Sequence, residues 1–137
     1  MIARLLSPWS EPIYAALRIV AGLMFSLHGM QKLFGVLTES QPTVGSQFWI
    51  GGVVELVCGL GIAVGLFTSL LAFLASGQMA VAYFQFHWKF RFDDSFFPVV
   101  NQGELAALYC FVFLYVASRG AGVASVDAAR TSSDEGG

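Results

Sequence analysis

The sequence predicts an all-α fold, an integral membrane up-down-up-down four-helix bundle, on three observations. Of 137 residues, 56% are hydrophobic and only 12% charged, about half the charged share of a soluble domain. The stretch Trp49 to Leu66, WIGGVVELVCGLGIAVGL, would span roughly 27 Å as a helix, close to the hydrocarbon thickness of a bilayer. Three further apolar runs flank it, joined by connections too short to hold another domain. In lipid every backbone N–H and C=O has to be paired within the segment, so a helix is the spanning form open to each run.

Residues 1–12, MIARLLSPWSEP, combine Arg4, Trp9 and two prolines, a composition suited to an interfacial lead, with Pro12 in a first helical turn. The first helix is expected over about 13–34, and the Gly-, Ser- and Gln-rich stretch Gly35 to Phe48 as a loop. The second, over 49–66, is followed after Phe67 and Thr68 by the third, over 69–86, so these two should form a tight antiparallel hairpin. In His87 to Gln102, aromatic and polar residues alternate. A lone strand has no partner there, so an interfacial segment with rings at headgroup level is the reading. The fourth helix is expected over 103–118. These elements make one domain over 1–127, and the polar residues 128–137 read as a disordered tail. Arg4, Arg119 and the more distal Arg130 face Lys89 and Arg91 across the membrane, which favours cytoplasmic termini in the cell membrane. Gly61 and Gly65 form a GxxxG, and Ala72, Ser76 and Ala80 a small-residue series, both suited to helix packing.

The net charge of −2 supplies no basic field, so nucleic acid is not an expected partner. Cys58 and Cys110 lie in apolar runs and make no CxxC pair, and they read as inert thiols. The chain has no small-x-small cleavage site ahead of a soluble domain, which points to a protein retained whole in the bilayer.

At 100° per residue, Arg18, Gly22, Phe25, Gly29 and Lys32 share one face of the first helix, and Gly51, Glu55 and Gly59 one face of the second. A carboxylate flanked by glycines accepts a close neighbour, and the first helix is the expected one. His28 and Lys32 lie toward the same membrane side as Glu55, and the third and fourth helices bring Gln78, His87, Asn101 and Glu104 into that half. Glu55 and Glu104 are the candidate catalytic carboxylates, with His28, Lys32, Gln78 and Asn101 as candidate ligand-binding groups. Phe25, Phe86 and Tyr109 are the expected aromatic lining. Arg18 belongs to the opposite half as a structural polar residue, with two roles open to it: snorkelling, or anchoring a loop.

Each group also has a purely structural reading. Glu55 can simply tie helices together, Lys32 snorkel, Glu104 complement a helix dipole, Asn101 cap a turn and His28 pack. A di-iron site needs Glu-x-x-His, but Cys58 and Ala107 stand three residues after Glu55 and Glu104, so no metal site is expected. Haem held by His28 and His87 is disfavoured because His87 falls at a helix end.

Five ordered segments resemble the DoxX family of small four-helix membrane proteins: RIVAG from Arg18, HGMQKLFG from His28, GGVVELVCG from Gly51, NQGELAALY from Asn101 and GAGVASVD from Gly120. Members of that family are associated with membrane redox assemblies, among them a thiosulfate:quinone oxidoreductase and a complex linked to thiol and superoxide defence. The resemblance implies a subunit of a quinone-linked oxidoreductase with no intrinsic cofactor, the bilayer as its first partner, and other membrane or redox subunits or further copies of itself as the rest. The alternative is a non-catalytic assembly subunit. A solute carrier is a third reading, for which four helices leave little room.

Overall fold

A computed structural model describes residues 1–134, and among these the chain is helical and turn-linked without a strand. α1 (Ile2–Leu6) leads through a 3-10 turn at Ser7–Trp9 into the long α2 (Ser10–Phe34), so the interfacial lead is itself wound into helix. Glu11 and Pro12 sit in the first turn of α2, Lys32 in the last, and Gly35 ends it in the left-handed region at φ 68°. α3 (Gln47–Val64) starts where the Ser46 hydroxyl accepts the Trp49 amide at 3.3 Å and stops at Gly65, φ 73°. α4 (Thr68–Ala82) runs on into a π-helical turn at Tyr83–Trp88. The loop beyond it carries a 3-10 turn at Asp94–Phe96 and the single turn α5 (Pro98–Asn101), followed by α6 (Glu104–Arg119) and α7 (Val126–Asp134).

Ile2–Phe34, Gln47–Val64 and Thr68–Trp88 are long and apolar enough to cross a membrane by length and composition. α6 has 16 residues, about 24 Å of helix, and is shorter than those three. α2 packs along α3 and α4 along α6, while α3 against α4 joins the two pairs. The core between them is built from Phe25, Ile62, Ala72, Ala75, Phe113 and Val116, each nearly or wholly inaccessible. The outward faces carry Leu17, Val20, Leu23, Met24, Leu105, Leu108 and Phe111 exposed. So continuous an apolar surface would be unfavourable in water and is at home in lipid.

Close approach of α2 and α3 depends on glycine. A Cβ built on Gly59 would stand 2.5 Å from the Ser26 nitrogen, and one on Gly29 2.5 Å from the Leu56 nitrogen. Each helix therefore rests on the other's backbone. The Gly61/Gly65 pair works differently from the expected GxxxG face. Gly61 makes room for the Leu71 side chain of α4, whereas Gly65 is the terminating residue, crowded by Ser125 and Arg18. In the small series, Ser76 donates to the Cys110 carbonyl of α6 at 2.8 Å.

At the end where α2 begins and α3 finishes, Arg18 is fully buried. Its Nη1 donates to the Ile62 and Ala63 carbonyls at 2.7 and 2.9 Å, and its Nη2 to the Ala124 carbonyl at 2.7 Å. Of the two roles open to it, Arg18 anchors a loop, and in doing so satisfies carbonyls that the end of α3 leaves free.

The reading of 128–137 as a disordered tail is corrected for 128–134, which continue α7; 135–137 lie outside the described residues. The helix is held at its start rather than by an apolar face. Asp127 accepts the Phe67 amide through Oδ1, and the Thr68 amide and hydroxyl through Oδ2, all at 3.0 Å, while its own amide donates to Gly65 at 2.9 Å. A carboxylate sixty residues away thus caps α4, whose own N-cap, Phe67, has no suitable side chain.

Partial burial pushes the Asp127 carboxyl upward, but the hydrogen bonds from Thr68 and Phe67, helped by the Arg130 charge, outweigh it and hold the pKa below its ordinary value. A depressed carboxylate stabilises the fold above its unfolded pKa, and that stability is lost as pH falls through the folded value. Amide exchange at Phe67, Thr68 and along α7 is accordingly expected to accelerate on acidification below about pH 4. Asp127→Asn should show the fast exchange already at neutral pH.

Candidate functional site

The opposite end holds a recess of about 460 Å³, bounded by α2, α3, the end of α4 and the start of α6. Its apolar wall includes Phe25, Val54, Met79, Phe86 and Tyr109, and its polar groups include His28, Lys32, Glu55 and Gln78. The expected aromatic lining of Phe25, Phe86 and Tyr109 is present in full.

Each side chain arrives by helical register. Gly22, Phe25, Gly29 and Lys32 follow one stripe of α2, and Gly52, Glu55, Gly59 and Ile62 the facing stripe of α3. Glu55 is 3% exposed. Its Oε1 accepts from Lys32 Nζ at 2.5 Å and from Gln78 Nε2 at 3.1 Å. The second Gln78 hydrogen goes to the Gly51 carbonyl, also at 3.1 Å. One carboxylate oxygen is therefore shared by donors from two other helices, α2 and α4. Charge-assisted bonds of this sort are the strong ones, and they offset the desolvation of the carboxylate.

Three polar atoms of the lining residues are shielded from solvent and without a hydrogen-bond partner among the described residues: Glu55 Oε2, Gln78 Oε1 and Tyr109 OH. His28 lines the recess with its ring edge-to-face with Tyr109 at 6.5 Å. An unpaired buried polar group costs about 1–3 kcal/mol, so a recess lined by three of them favours an occupant able to pair with them.

Two of the candidate residues are not brought in. Glu104 is exposed and outside the recess wall. The buried face of α6 is Ala106, Tyr109, Phe113 and Val116, and Glu104, two residues or about 200° before Ala106, points the other way. It does not join Glu55 as a second carboxylate of the recess, and its position in the first turn suits the helix dipole. Asn101 is likewise committed elsewhere. Its Nδ2 donates to the Ser95 carbonyl at 2.8 Å, its Oδ1 accepts the Gly103 amide at 2.7 Å, and its carbonyl meets His87 Nδ1 at 3.1 Å. It fixes the turn into α6 and does not line the recess.

Fold and recess together define a helical membrane protein that, among the described residues, has one buried carboxylate, held by a lysine and a glutamine in an apolar hollow. The DoxX family model matches residues 13–88, the span that contains Lys32, Glu55 and Gln78. A protein of Haemophilus influenzae described as uncharacterized is 41% identical over 117 residues, covering 82% of this chain and 87% of that one. No solved structure matches. The chain belongs to the DoxX family.

Proposed function

We propose that this chain is the membrane subunit of a quinone-linked oxidoreductase assembly and that its recess takes the head group of a quinone-like or other small hydrophobic ligand. The observation that carries the reading is the Lys32–Glu55–Gln78 constellation, part-buried yet short of partners, inside an apolar hollow of ligand size. Apolar walls suit a ring and a hydrocarbon chain. Glu55 sets the orientation of a polar head, and Lys32, with 30% of its side chain accessible, connects the carboxylate to the water beyond the helix ends. The fit rests on the unpaired atoms: a head group with hydroxyls at its rim supplies the donors that Glu55 Oε2 and Gln78 Oε1 lack.

Supporting geometry for an up-down-up-down bundle is that the start of α2, the end of α3, the start of α4 and the end of α6 meet around Arg18, Asp127 and Tyr14, whose hydroxyl donates to Gly120 at 2.5 Å. Arg4, Arg119 and Arg130 at that end support cytoplasmic termini, with the recess in the outer half of the membrane. A Ser133→Cys variant is then expected to react with a membrane-impermeant maleimide only after the cells are opened. Labelling of intact cells would reverse the orientation.

Extraction of the protein purified from native membranes in mild detergent tests the main reading. A quinone-class molecule in roughly stoichiometric amount, together with a co-purifying redox polypeptide, is the expected result. Absence of both, with no saturable binding of added decylubiquinone, would remove it. One observation favours a second reading, a non-catalytic assembly subunit: the Glu55 oxygen ties three helices at once. That role predicts lower recovery of the assembly in Glu55→Gln, with redox turnover per assembled complex unchanged.

A further inference from the structure

We infer that the recess is built for a hydrogen-bond-donating head group, and so holds the reduced, dihydroxy form of a quinone in preference to the oxidised form. The inference rests on the quinone-like reading and adds which redox form the site selects.

The argument is an inventory of donors and acceptors. The Gln78 amide orientation is fixed chemically, because the Gly51 carbonyl and the Glu55 carboxylate can only accept; the NH2 must face them, and Oε1 is left over. Lys32 is turned onto Glu55 Oε1, so that oxygen is doubly satisfied and Oε2 is left over. The two dedicated groups without a partner among the described residues are thus both acceptors. Of the other polar lining groups, Lys32 has N–H hydrogens beyond the one given to Glu55 but stays 30% accessible, Gln47 is paired with Gln85, the His87 ring meets the Asn101 carbonyl, and Gln102 is exposed. The Tyr109 hydroxyl and the His28 imidazole are adaptable and can each give or take a hydrogen bond. An oxidised quinone presents two carbonyl oxygens and no donor. Against Glu55 Oε2 it would set acceptor on carboxylate in a medium of low dielectric, leaving both unpaired. The reduced form presents two O–H groups, one for the carboxylate and one for an amide oxygen or the tyrosine. Sites that offer buried polar groups discriminate strongly against analogues that cannot pair with them. The recess is hence a donor-selective site, in which Glu55 accepts from the ligand while Lys32 and Gln78 hold it in place.

The test is equilibrium binding to the full chain in nanodiscs, performed without oxygen, using decylubiquinol, decylubiquinone and decylbenzene. Decylubiquinol is expected to bind at least tenfold more tightly than decylubiquinone, and decylbenzene most weakly of the three. Equal affinity for the two redox forms, tighter binding of the oxidised one, or equal binding of decylbenzene would overturn the inference. The first two results would leave the recess as a quinone site, whereas no saturable binding of any of the three would remove the function proposed above as well.

Glu55→Gln sharpens the comparison, since the amide is the same size as the carboxylate. Lys32 and Gln78 would hold its oxygen in the place of Oε1, which puts its NH2 where Oε2 stood and turns an acceptor into a donor. The preference for the reduced form should then fall at least tenfold, to parity or into reverse. Retention of the full preference by a folded Glu55→Gln protein would overturn the assignment of Oε2. The wild-type comparison decides the matter independently if that variant does not fold.

Discussion

Gly59→Ala is expected to be among the most destabilising single methyl additions in this chain, by about 3 kcal/mol, the upper end of the cost of overpacking. The added carbon would lie 2.5 Å from the Ser26 nitrogen and 2.7 Å from the Gly22 carbonyl oxygen. Both are backbone atoms of α2, so no side chain can rotate aside and the helices themselves have to part. Glu55 lies one turn before Gly59 on the same stripe, so parting the helices also draws the carboxylate away from Lys32. Thermal unfolding in detergent, followed by circular dichroism, measures the loss. Gly77→Ala is the control, because nothing stands within 4 Å of its added carbon. It should be neutral or gain up to about 1 kcal/mol from helix propensity. Equal stability of the two variants would show that α2 and α3 do not meet backbone to backbone.

The second large effect concerns the part-buried ion pair of Lys32 and Glu55. Lys32→Met leaves the Glu55 carboxylate with Gln78 alone, and is expected to cost about 2 kcal/mol. That is below the 3–5 typical of breaking a fully buried pair, because Lys32 keeps 30% of its side chain accessible. Glu55→Gln removes the charge while retaining an oxygen for Lys32 and Gln78, and should cost less. In the double variant no charge remains to be compensated, so it should recover more than half of the Lys32→Met loss, a coupling of 1 kcal/mol or more. Strict additivity in unfolding measurements would mean that the two residues do not interact, and the constellation would lose its centre.

Much of this was legible in residue spacing. The stripe Gly22, Phe25, Gly29, Lys32 and the stripe Gly51, Glu55, Gly59 announce two helices that touch through glycine with a lysine facing a carboxylate, since helical register alone sets which residues share a face. Of the aromatic lining, Phe25 followed from the same register, whereas Phe86 and Tyr109 come from the turn after α4 and from α6. Glu104 was misplaced by counting depth in the membrane without counting angle. The face of α6 is marked by Ala106, Tyr109, Phe113 and Val116, and two residues of offset are enough to turn a side chain outward. Asn101 was placed at the right end of the molecule, but its short polar side chain bonded first to the nearby backbone, as asparagine in turns commonly does.

Composition and period by themselves determined that the chain is helical, that long apolar runs within it suit a bilayer, and that one carboxylate needs a partner on a neighbouring helix. Those are one-dimensional properties, set by apolar content and the 3.6-residue turn. Only the tertiary structure decided the rest: that both Lys32 and Gln78 close on a single oxygen of Glu55, leaving the other free; that Arg18 holds the loop after α6; and that Asp127 caps a helix sixty residues earlier in the chain. Hydrogen bonds are directional and short, and which atoms come within 3 Å of each other depends on how several helices pack at once.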